Sequence, residues 1–358
     1  MKPKNATLED VARHAGVSYQ TVSRVLNQSS RVADATRSRV EQAMRELNYV
    51  PNRLAQQLAG KPTYTLGLVT ASLSWHAPSQ IASAVRQSAR ACGYNVLIAM
   101  PDEAEEDALQ AALNELKGQR VDGIIINLPL EGERAEAVSR FNDDIPCLFL
   151  DVPPQARVPH VMFDPNDGTR ASVEYLLSLG HRRFGLLSGP DSSISARLRR
   201  QSWLTTLAAH GLTPVCSAQG DWSPESGYRC ALNMLRASEA ATALLVGNDQ
   251  MALGVLSASA QLGIGVPDQM SVIGYDDTRD SAFYLPPLST VSQDFTVLGQ
   301  QAVDSIIGTL RSGDPMASVM LPTRLIARRS TALLSKPGDI SLAGLAEELS
   351  RIATRLRG

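Results

Sequence analysis

The sequence predicts an α/β protein made of a small all-α helix-turn-helix headpiece, a two-lobed doubly wound body and a C-terminal heptad helix. Three observations carry this. Residues 7–27 read as two short helices about a tight turn, apolar runs of strand length alternate with helical stretches from Tyr64 to about Thr331, and the final segment repeats leucine at heptad spacing. At 358 residues the chain exceeds one small domain, and a 44% hydrophobic content is enough for a packed core. The expected divisions are a headpiece at 1–51, a short helix and linker at 52–62, the body at 63–334, and a linker with the tail helix at 335–358.

The headpiece comes first. Thr7 stands three residues before Asp10 in the pattern of a capping box, so a helix should run from Leu8 to about Ala15. Gly16 follows because the turn requires a residue that tolerates the left-handed conformation. Ser18 then suits the N-cap of a second helix, from Tyr19 to about Asn27. At roughly 100° per residue, Val22, Val25 and Leu26 fall on one side of that helix. Gln20, Ser23, Arg24 and Asn27 fall on the other, with Tyr19 at the edge. A glutamine can bond adenine through two hydrogen bonds, an arginine can bond guanine O6 and N7, and a tyrosine offers both ring and hydroxyl. Presenting such side chains from the second helix to the major groove is the docking geometry of a helix-turn-helix.

A solvated helical hairpin would carry the same polar face, so the charge distribution has to decide. The whole chain is only −2, but residues 1–61 hold ten Lys and Arg against five acids, which makes that segment +5 and the remainder −7. A basic head on an acidic body draws a polyanion to the head and keeps it off the body. Asp34 to Leu47 reads as a third helix, whose Val40, Ala43, Met44 and Leu47 can close a core with Val11, Val22 and Val25, and Asn48 suits its end. Beyond it, Pro51 and Pro62 bracket about two turns of helix formers, with Asn52 as a cap and Gly60 as a stop. So short a helix is marginal in water and should form only when something docks against it. It is a candidate hinge.

These stretches also carry a likeness. VARHAGVSYQTVSRVLN, RELNYVPN and LAQQLAGK, with HAPSQI, FLDV, DGTR, SARLRR, GDWS, NDQMALG, GYDDT, PPLSTV and QDF further on, resemble the LacI/GalR family of bacterial repressors over essentially the whole chain. The resemblance implies a sequence-specific DNA-binding transcriptional repressor of a sugar-utilisation operon of the lactose type, released from its operator by a galactoside held between two lobes. It implies DNA contacts from Thr7, Ser18, Tyr19, Gln20, Thr21, Ser23, Arg24, Asn27, Arg31, Asn52, Ala55 and Leu58. Of these, Tyr19, Gln20 and Arg24 would read bases. The hinge helices of two subunits would pair in the minor groove, where Leu58 wedges apart a central step at a cost of a few kcal/mol, offset by contacts that the bent duplex allows.

The body alternates strand candidates TLGLVT, NVLIAM, GIIIN, CLFLDV, HVMF, FGLLSG, ALLVGND and SVIGYDD with helices. Continuous apolar runs mark parallel strands buried on both faces, and the length suits two doubly wound lobes. The resemblance adds a likeness of the lobes to periplasmic sugar-binding proteins, with the chain crossing between them near Phe163, Val291 and Leu321. Ligands of such sheets bind beyond the carboxyl ends of the strands. Those ends hold His76 and Pro78, Asp151, Ser193 to Arg199, Asn248 with Asp249, and Asp276. Carboxylate, amide and guanidinium groups suit sugar hydroxyls, and Trp222 or Phe295 could face the apolar side of a sugar ring. By resemblance the cleft is lined by Trp75, Ile81, Asp151, Phe163, Arg199, Trp222, Asn248, Asp276 and Phe295. Ion pairs or caps at strand ends would explain the polar members, and core packing would explain the two phenylalanines. Where the resemblance would place a serine and an aliphatic residue, the chain has Ala71 and Trp75, so the ligand is held differently or is a related galactoside.

After the linker Ser335-Lys336-Pro337-Gly338, Leu342, Leu345, Leu349, Ile352 and Leu356 repeat at spacings of 3, 4, 3 and 4, a short heptad seam. The resemblance implies that such tails join two homodimers into a tetramer. The four cysteines lack metal-ligand spacing and read as buried thiols of a reducing cytoplasm. With no signal sequence or membrane span in view, the expected place is the bacterial cytoplasm, with no membrane contact. The expected partners are double-stranded operator DNA, a small sugar inducer and further copies of the chain, with no metal and no cofactor. An enzyme is the rival class, since Asp151 and Asp276 could form a glycosidase pair. The chain has no G-x-G-x-x-G, phosphate-binding loop or G-x-S-x-G elbow, and hydroxyl acceptors explain the carboxylates better. A sugar-storage or transport module would leave the basic head without a use. A regulator of the same family answering to a different sugar is the remaining alternative.

Overall fold

Thr7 opens the first helix as its spacing predicts. The computed structural model describes residues 6–26, 31–49, 62–101, 106–237 and 241–334. Asn27, the candidate hinge with Asn52, Ala55 and Leu58, and the tail with Leu342, Leu345, Leu349, Ile352 and Leu356 lie outside the described residues. The chain divides into two compact units, with the boundary between Thr63 and Tyr64.

The first unit holds α1 (Leu8–Ala15), α2 (Tyr19–Leu26) and α3 (Asp34–Glu46). Its capping box is reciprocal: the Thr7 amide donates to Asp10 Oδ2 at 2.9 Å, and the Asp10 amide donates to Thr7 Oγ1 at 3.2 Å. Two otherwise orphaned amides are satisfied together. Gly16 sits at φ 63° and ends α1. The Thr21 amide donates to Ser18 Oγ at 3.2 Å, which starts α2. Val11, Val22 and Val40 are fully buried and form the core with Ala12, Ala15, Val25 and Ala43. His14 Nε2 and Glu46 Oε2, 2.6 Å apart, brace α1 against α3 at the surface.

The second unit begins with β1 (Thr65–Thr70), α4 (His76–Ala91), β2 (Asn95–Ala99), α5 (Glu106–Gly118), β3 (Gly123–Asn127), α6 (Gly132–Phe141) and β4 (Cys147–Phe149). Their strands make a parallel sheet in the order β2-β1-β3-β4. Successive residues of β3 face opposite ways. Ile125 joins the core of Leu66, Leu68 and Val85, while Ile124 and Ile126 join that of Leu113, Leu116 and Phe149. Burial on both faces is why the run reads as uninterrupted apolar residues.

The chain continues as β5 (Val161–Phe163), α7 (Asp167–Ser178), β6 (Phe184–Ser188), α8 (Ile194–Ala209), β7 (Cys216–Gln219), α9 (Pro224–Ala237), β8 (Ala243–Val246), α10 (Asp249–Gln261), β9 (Ser271–Asp276), β10 (Ser289–Ser292), α11 (Phe295–Ser312), β11 (Val319–Leu321) and β12 (Arg324–Ile326). A second sheet runs β12-β10-β9-β8-β6-β7, with β12 antiparallel to β10 and the other neighbours parallel. Helix α11 returns to the first lobe, where Leu298, Ala302, Val303, Ile306 and Ile307 enter the Leu66 core. The leucine, valine and isoleucine side chains among them each contribute roughly 1.5–3 kcal/mol on full burial. Gly123 is needed there, because a Cβ at that position would stand 2.6 Å from Ile306. Strands β5 and β11 pair in parallel, Phe163 opposite Leu321. The chain therefore passes between the lobes after β5, after β10 and after β11. Among the described residues no helix is long and apolar enough to cross a membrane.

Candidate functional site

Helix α2 buries Val22 and Val25 and exposes Tyr19 (54%), Gln20 and Arg24, while Thr21 and Ser23 are half-buried. The Thr7 and Ser18 hydroxyls accept backbone amides as caps, and Arg31 is exposed just ahead of α3. Tyr19, Gln20 and Arg24 thus share one exposed surface of a helix whose opposite side is fixed by packing.

Between the lobes lies a cavity of about 410 Å³ lined by all nine residues read from the sequence: Trp75, Ile81, Asp151, Phe163, Arg199, Trp222, Asn248, Asp276 and Phe295. Each polar member is delivered by the end of a strand or the start of a helix. Asp151 follows β4, Asp276 ends β9, Asn248 caps α10, and Arg199 lies in α8. The apolar lining includes Trp75 and Ile81 at the start of α4, with Phe163 and Phe295 edge to face at 5.7 Å and 90°.

Arg199 organises the polar lining. Its guanidinium is buried, donates to the Gly247 carbonyl at 2.7 Å and to Gln293 Oε1 at 3.1 Å, and lies over the Tyr275 ring at 3.7 Å. Asp276 Oδ1 stands 3.6 Å from Arg199 Nη2, beyond hydrogen-bond reach, and has no hydrogen-bond partner. Burial pushes the Asp276 carboxyl up to about 6, with Arg199 pulling the other way. Asp151 also rises to about 6, through burial opposed by Arg199 and by the Ser195 amide. Both groups are ionised at neutral pH and poised to accept hydroxyls.

Asn248 is more heavily committed. Its Oδ1 accepts the Met251 amide at 2.9 Å, and its Nδ2 donates to the Trp222 carbonyl and to Gln250 Oε1, each at 3.1 Å. Trp222 itself has φ 76°, and its indole lies on Gly189, where a Cβ would be 2.3 Å from the ring. Asp249, also a strand-end candidate, is fully buried and does not line the cavity. Sequence reasoning missed Asn127, Gln293 and Tyr275 in the lining. Asn127 closes β3, so the strand-end rule could have found it. Gln293 follows β10, which is too short and polar to stand out. At the rim, Arg197 of α8 donates to the Glu131 carboxylate of the first lobe and to the Asp191 carbonyl of its own.

Comparison with known proteins gives matches in both units. The family described as bacterial regulatory proteins, lacI family, matches residues 7–52, and a periplasmic binding protein-like domain matches residues 173–331. The chain is 45% identical over 356 residues to the lactose operon repressor of Escherichia coli K12, covering 99% of this chain and 98% of that one. It is 48% identical over 330 residues to the lactose operon repressor of Klebsiella pneumoniae, covering 92% and 93%. Among solved structures, a lac repressor dimer bound to operator and the anti-inducer ONPF matches with a TM-score of 0.87 and 46% identity, over 92% of this chain and all of that one.

Proposed function

We propose that this chain, which belongs to the lacI family of bacterial regulatory proteins and is a DNA-binding transcriptional repressor rather than an enzyme, governs a sugar-utilisation operon and leaves its operator when a galactoside fills the cleft. The observation that carries the sugar reading is Asp276 Oδ1, buried in the cleft without a hydrogen-bond partner and 3.6 Å from the Arg199 guanidinium. A buried carboxylate in that position stays costly until a donor arrives. A sugar hydroxyl supplies one, a neighbouring hydroxyl oxygen can accept from Arg199, and the Trp222 indole can face the apolar side of the ring. Asp151 extends the same acceptor set.

On the DNA side, Tyr19, Gln20 and Arg24 read base edges, and Thr7, Ser18, Thr21, Ser23, Asn27 and Arg31 hold the phosphates and the register. A related repressor is bound to operator as a dimer, and two heads of this chain likewise span a roughly palindromic operator in the bacterial cytoplasm. Residues 52–62, between a headpiece at 1–51 and a body at 63–334, act as the hinge, with Asn52, Ala55 and Leu58 at the minor groove. The heptad residues Leu342, Leu345, Leu349, Ile352 and Leu356 join two dimers. A chain ending at Pro337 then sediments as a dimer.

A second reading is favoured by Ala71 and Trp75, which both line the cavity. Relative to a serine and an aliphatic residue, they exchange a hydroxyl for an aromatic plate and suit a galactoside with a larger apolar aglycone. Titrating a panel of galactosides and other glycosides against operator-bound protein tests both. Release of operator by one or more galactosides supports the reading, and release only by sugars of another class replaces galactoside with that class. In the same assay Arg24→Ala weakens operator binding by about 1–3 kcal/mol and leaves nonspecific DNA binding nearly unchanged. Equal loss on both would remove Arg24 as a base reader.

A further inference from the structure

Asp249 follows Asn248 by one residue, and a helical rotation of about 100° carries it away from the cleft. Its side chain is fully buried. Oδ1 accepts from Thr290 Oγ1 at 2.6 Å, and Oδ2 accepts the Thr278 amide at 2.8 Å. The carboxylate lies hard against the backbone of β9, since a Cβ on Gly274 would stand 2.3 Å from Oδ1. A buried carboxylate is expensive unless it is hydrogen-bonded. Asp249 takes these bonds from the residues that follow β9 and from the neighbouring strand β10.

Those bonds hold an unusual turn. Asp276 has φ 103° and the next residue, Asp277, has φ 54°. Two consecutive non-glycine residues in this region persist only where their surroundings over-determine them, and such conformations concentrate at ligand clamps. Here the turn is tied twice. The Thr278 amide is fixed by Asp249, and Asp277 Oδ1 is fixed by Arg328 Nη2 at 2.6 Å. The result leaves the Asp276 carboxylate lining the cavity, with Oδ1 facing Arg199 but lacking a hydrogen bond.

We propose that Asp249 is a positioning residue for sugar binding: by clamping Thr278 and Thr290 it holds the strained turn that presents Asp276, and so sets sugar affinity without touching the ligand. The inference rests on the cleft being the sugar site. It also carries a pH signature. Burial pushes the Asp249 carboxyl up to about 7, with the Thr290 hydroxyl pulling it down and Asp276 pushing it further up. The charged or titratable groups around it are Asp276 on β9, Tyr284 beyond the 3₁₀ turn at Ser281–Phe283, and Arg328, which donates to Ser281 Oγ at 3.3 Å. As pH falls through 7, Asp249 takes up a proton, one of its oxygens becomes a donor, and the clamp loses an acceptor.

The test uses the full chain, methyl β-galactoside titrated calorimetrically, and operator affinity measured separately. Asp249→Asn and Thr290→Val should each weaken the galactoside at least tenfold and leave operator affinity within twofold. Thr290→Ser, which keeps the hydroxyl, should retain sugar affinity within threefold. Wild-type affinity should decline from pH 8 to pH 7, and Asp249→Asn should be flat across that window, where Asp151 and Asp276 remain ionised. Sugar affinity within threefold of wild type in both Asp249→Asn and Thr290→Val, or parallel loss of sugar and operator binding, overturns the proposal. If Asp249→Asn does not fold, the contrast between valine and serine at position 290 decides alone. A wild-type chain that binds operator but takes no galactoside would overturn the sugar reading itself, an outcome distinct from a wild type that binds and a variant that binds equally well.

Discussion

A carboxylate that has left water and found no hydrogen-bond partner is held in the fold at a cost, and Asp276 is held that way at the cleft. Its carboxyl, raised to about 6 by burial, is ionised at pH 7 and neutral at pH 5. Because the folded-state value lies above the unfolded one, the ionised form destabilises the fold, and that cost is relieved as pH falls through about 6. Asp276→Asn removes that cost but also takes away the carboxylate facing the buried Arg199 guanidinium, so the two effects oppose one another and the net change in stability at pH 7 should be small. Sugar affinity should fall. Losing a hydrogen bond to a charged group costs about 1.5–3 kcal/mol, so calorimetry should give a loss of roughly tenfold or more, with operator affinity intact. Wild-type sugar affinity should fall as pH drops through 6, and the variant should show a smaller step, the part that Asp151 contributes. A sugar response unchanged in the variant would remove Asp276 from the site. At this scale the sequence was partly legible. The strand-end rule reaches Asp151 and Asp276, but it groups Asp249 with Asn248 because it carries no rotational information. One residue of helix separates a side chain that lines the cavity from one that faces the sheet.

Helix α10 couples the fold to the cleft through its cap. Asn248 Oδ1 closes the first turn on the Met251 amide, and Nδ2 holds the Trp222 carbonyl, whose residue sits at φ 76°. One side chain therefore starts a helix and holds the backbone of the neighbouring Trp222. Asn248→Ala should cost about 1 kcal/mol of stability as a lost cap and weaken sugar binding as well. Asn248→Asp separates the two roles, because aspartate still caps but cannot donate to Trp222. Urea denaturation should show a loss of stability, since the buried carboxylate oxygen faces the Trp222 carbonyl, while tryptophan fluorescence and sugar affinity should both change. Wild-type sugar affinity in Asn248→Asp would mean that the Trp222 carbonyl needs no donor. Elements were legible wherever burial was two-sided. TLGLVT, GIIIN, ALLV and SVIGYD are apolar at successive positions because both faces of their sheets are covered. Strand β7, CSAQ, alternates between half-buried and exposed residues, and β10, STVS, buries hydroxyls that bond to neighbouring elements, as Thr290 does to Asp249 at the start of α10. Short strands of that kind resemble loops until their neighbours are known.

Across the whole molecule, charge and contact divide the labour. The basic segment and the recognition face belong to one compact unit and the cleft to another, with the boundary at Thr63 and Tyr64. Within the second unit, the exposed pair of Glu131 and Arg197 links the two lobes at the rim, but a pair that open to solvent contributes no more than about 1 kcal/mol. A ligand that bonds to Asp276, Arg199 and Asp151 at once has more to offer, so sugar rather than the rim pair should decide the lobe arrangement. If sugar and operator compete through that arrangement, their effects on one another are bound by linkage. The factor by which saturating galactoside weakens operator must equal the factor by which saturating operator weakens galactoside, and 1–3 kcal/mol of coupling corresponds to about 5- to 150-fold. Measuring all four dissociation constants on the full chain gives this coupling and checks that the cycle closes. A factor of at least about fivefold is expected in wild type. Arg24→Ala should lower operator affinity and preserve the ratio if Arg24 reads a base as proposed and takes no part in the coupling. Asp276→Asn should shift the sugar constants together with or without operator, unless Asp276 also biases the lobes, in which case the coupling factor itself shrinks. Because that equality holds for any closed cycle, the size of the factor is what decides: a wild-type factor of one, with galactoside leaving operator affinity unchanged, would mean that the cleft and the headpiece are not coupled.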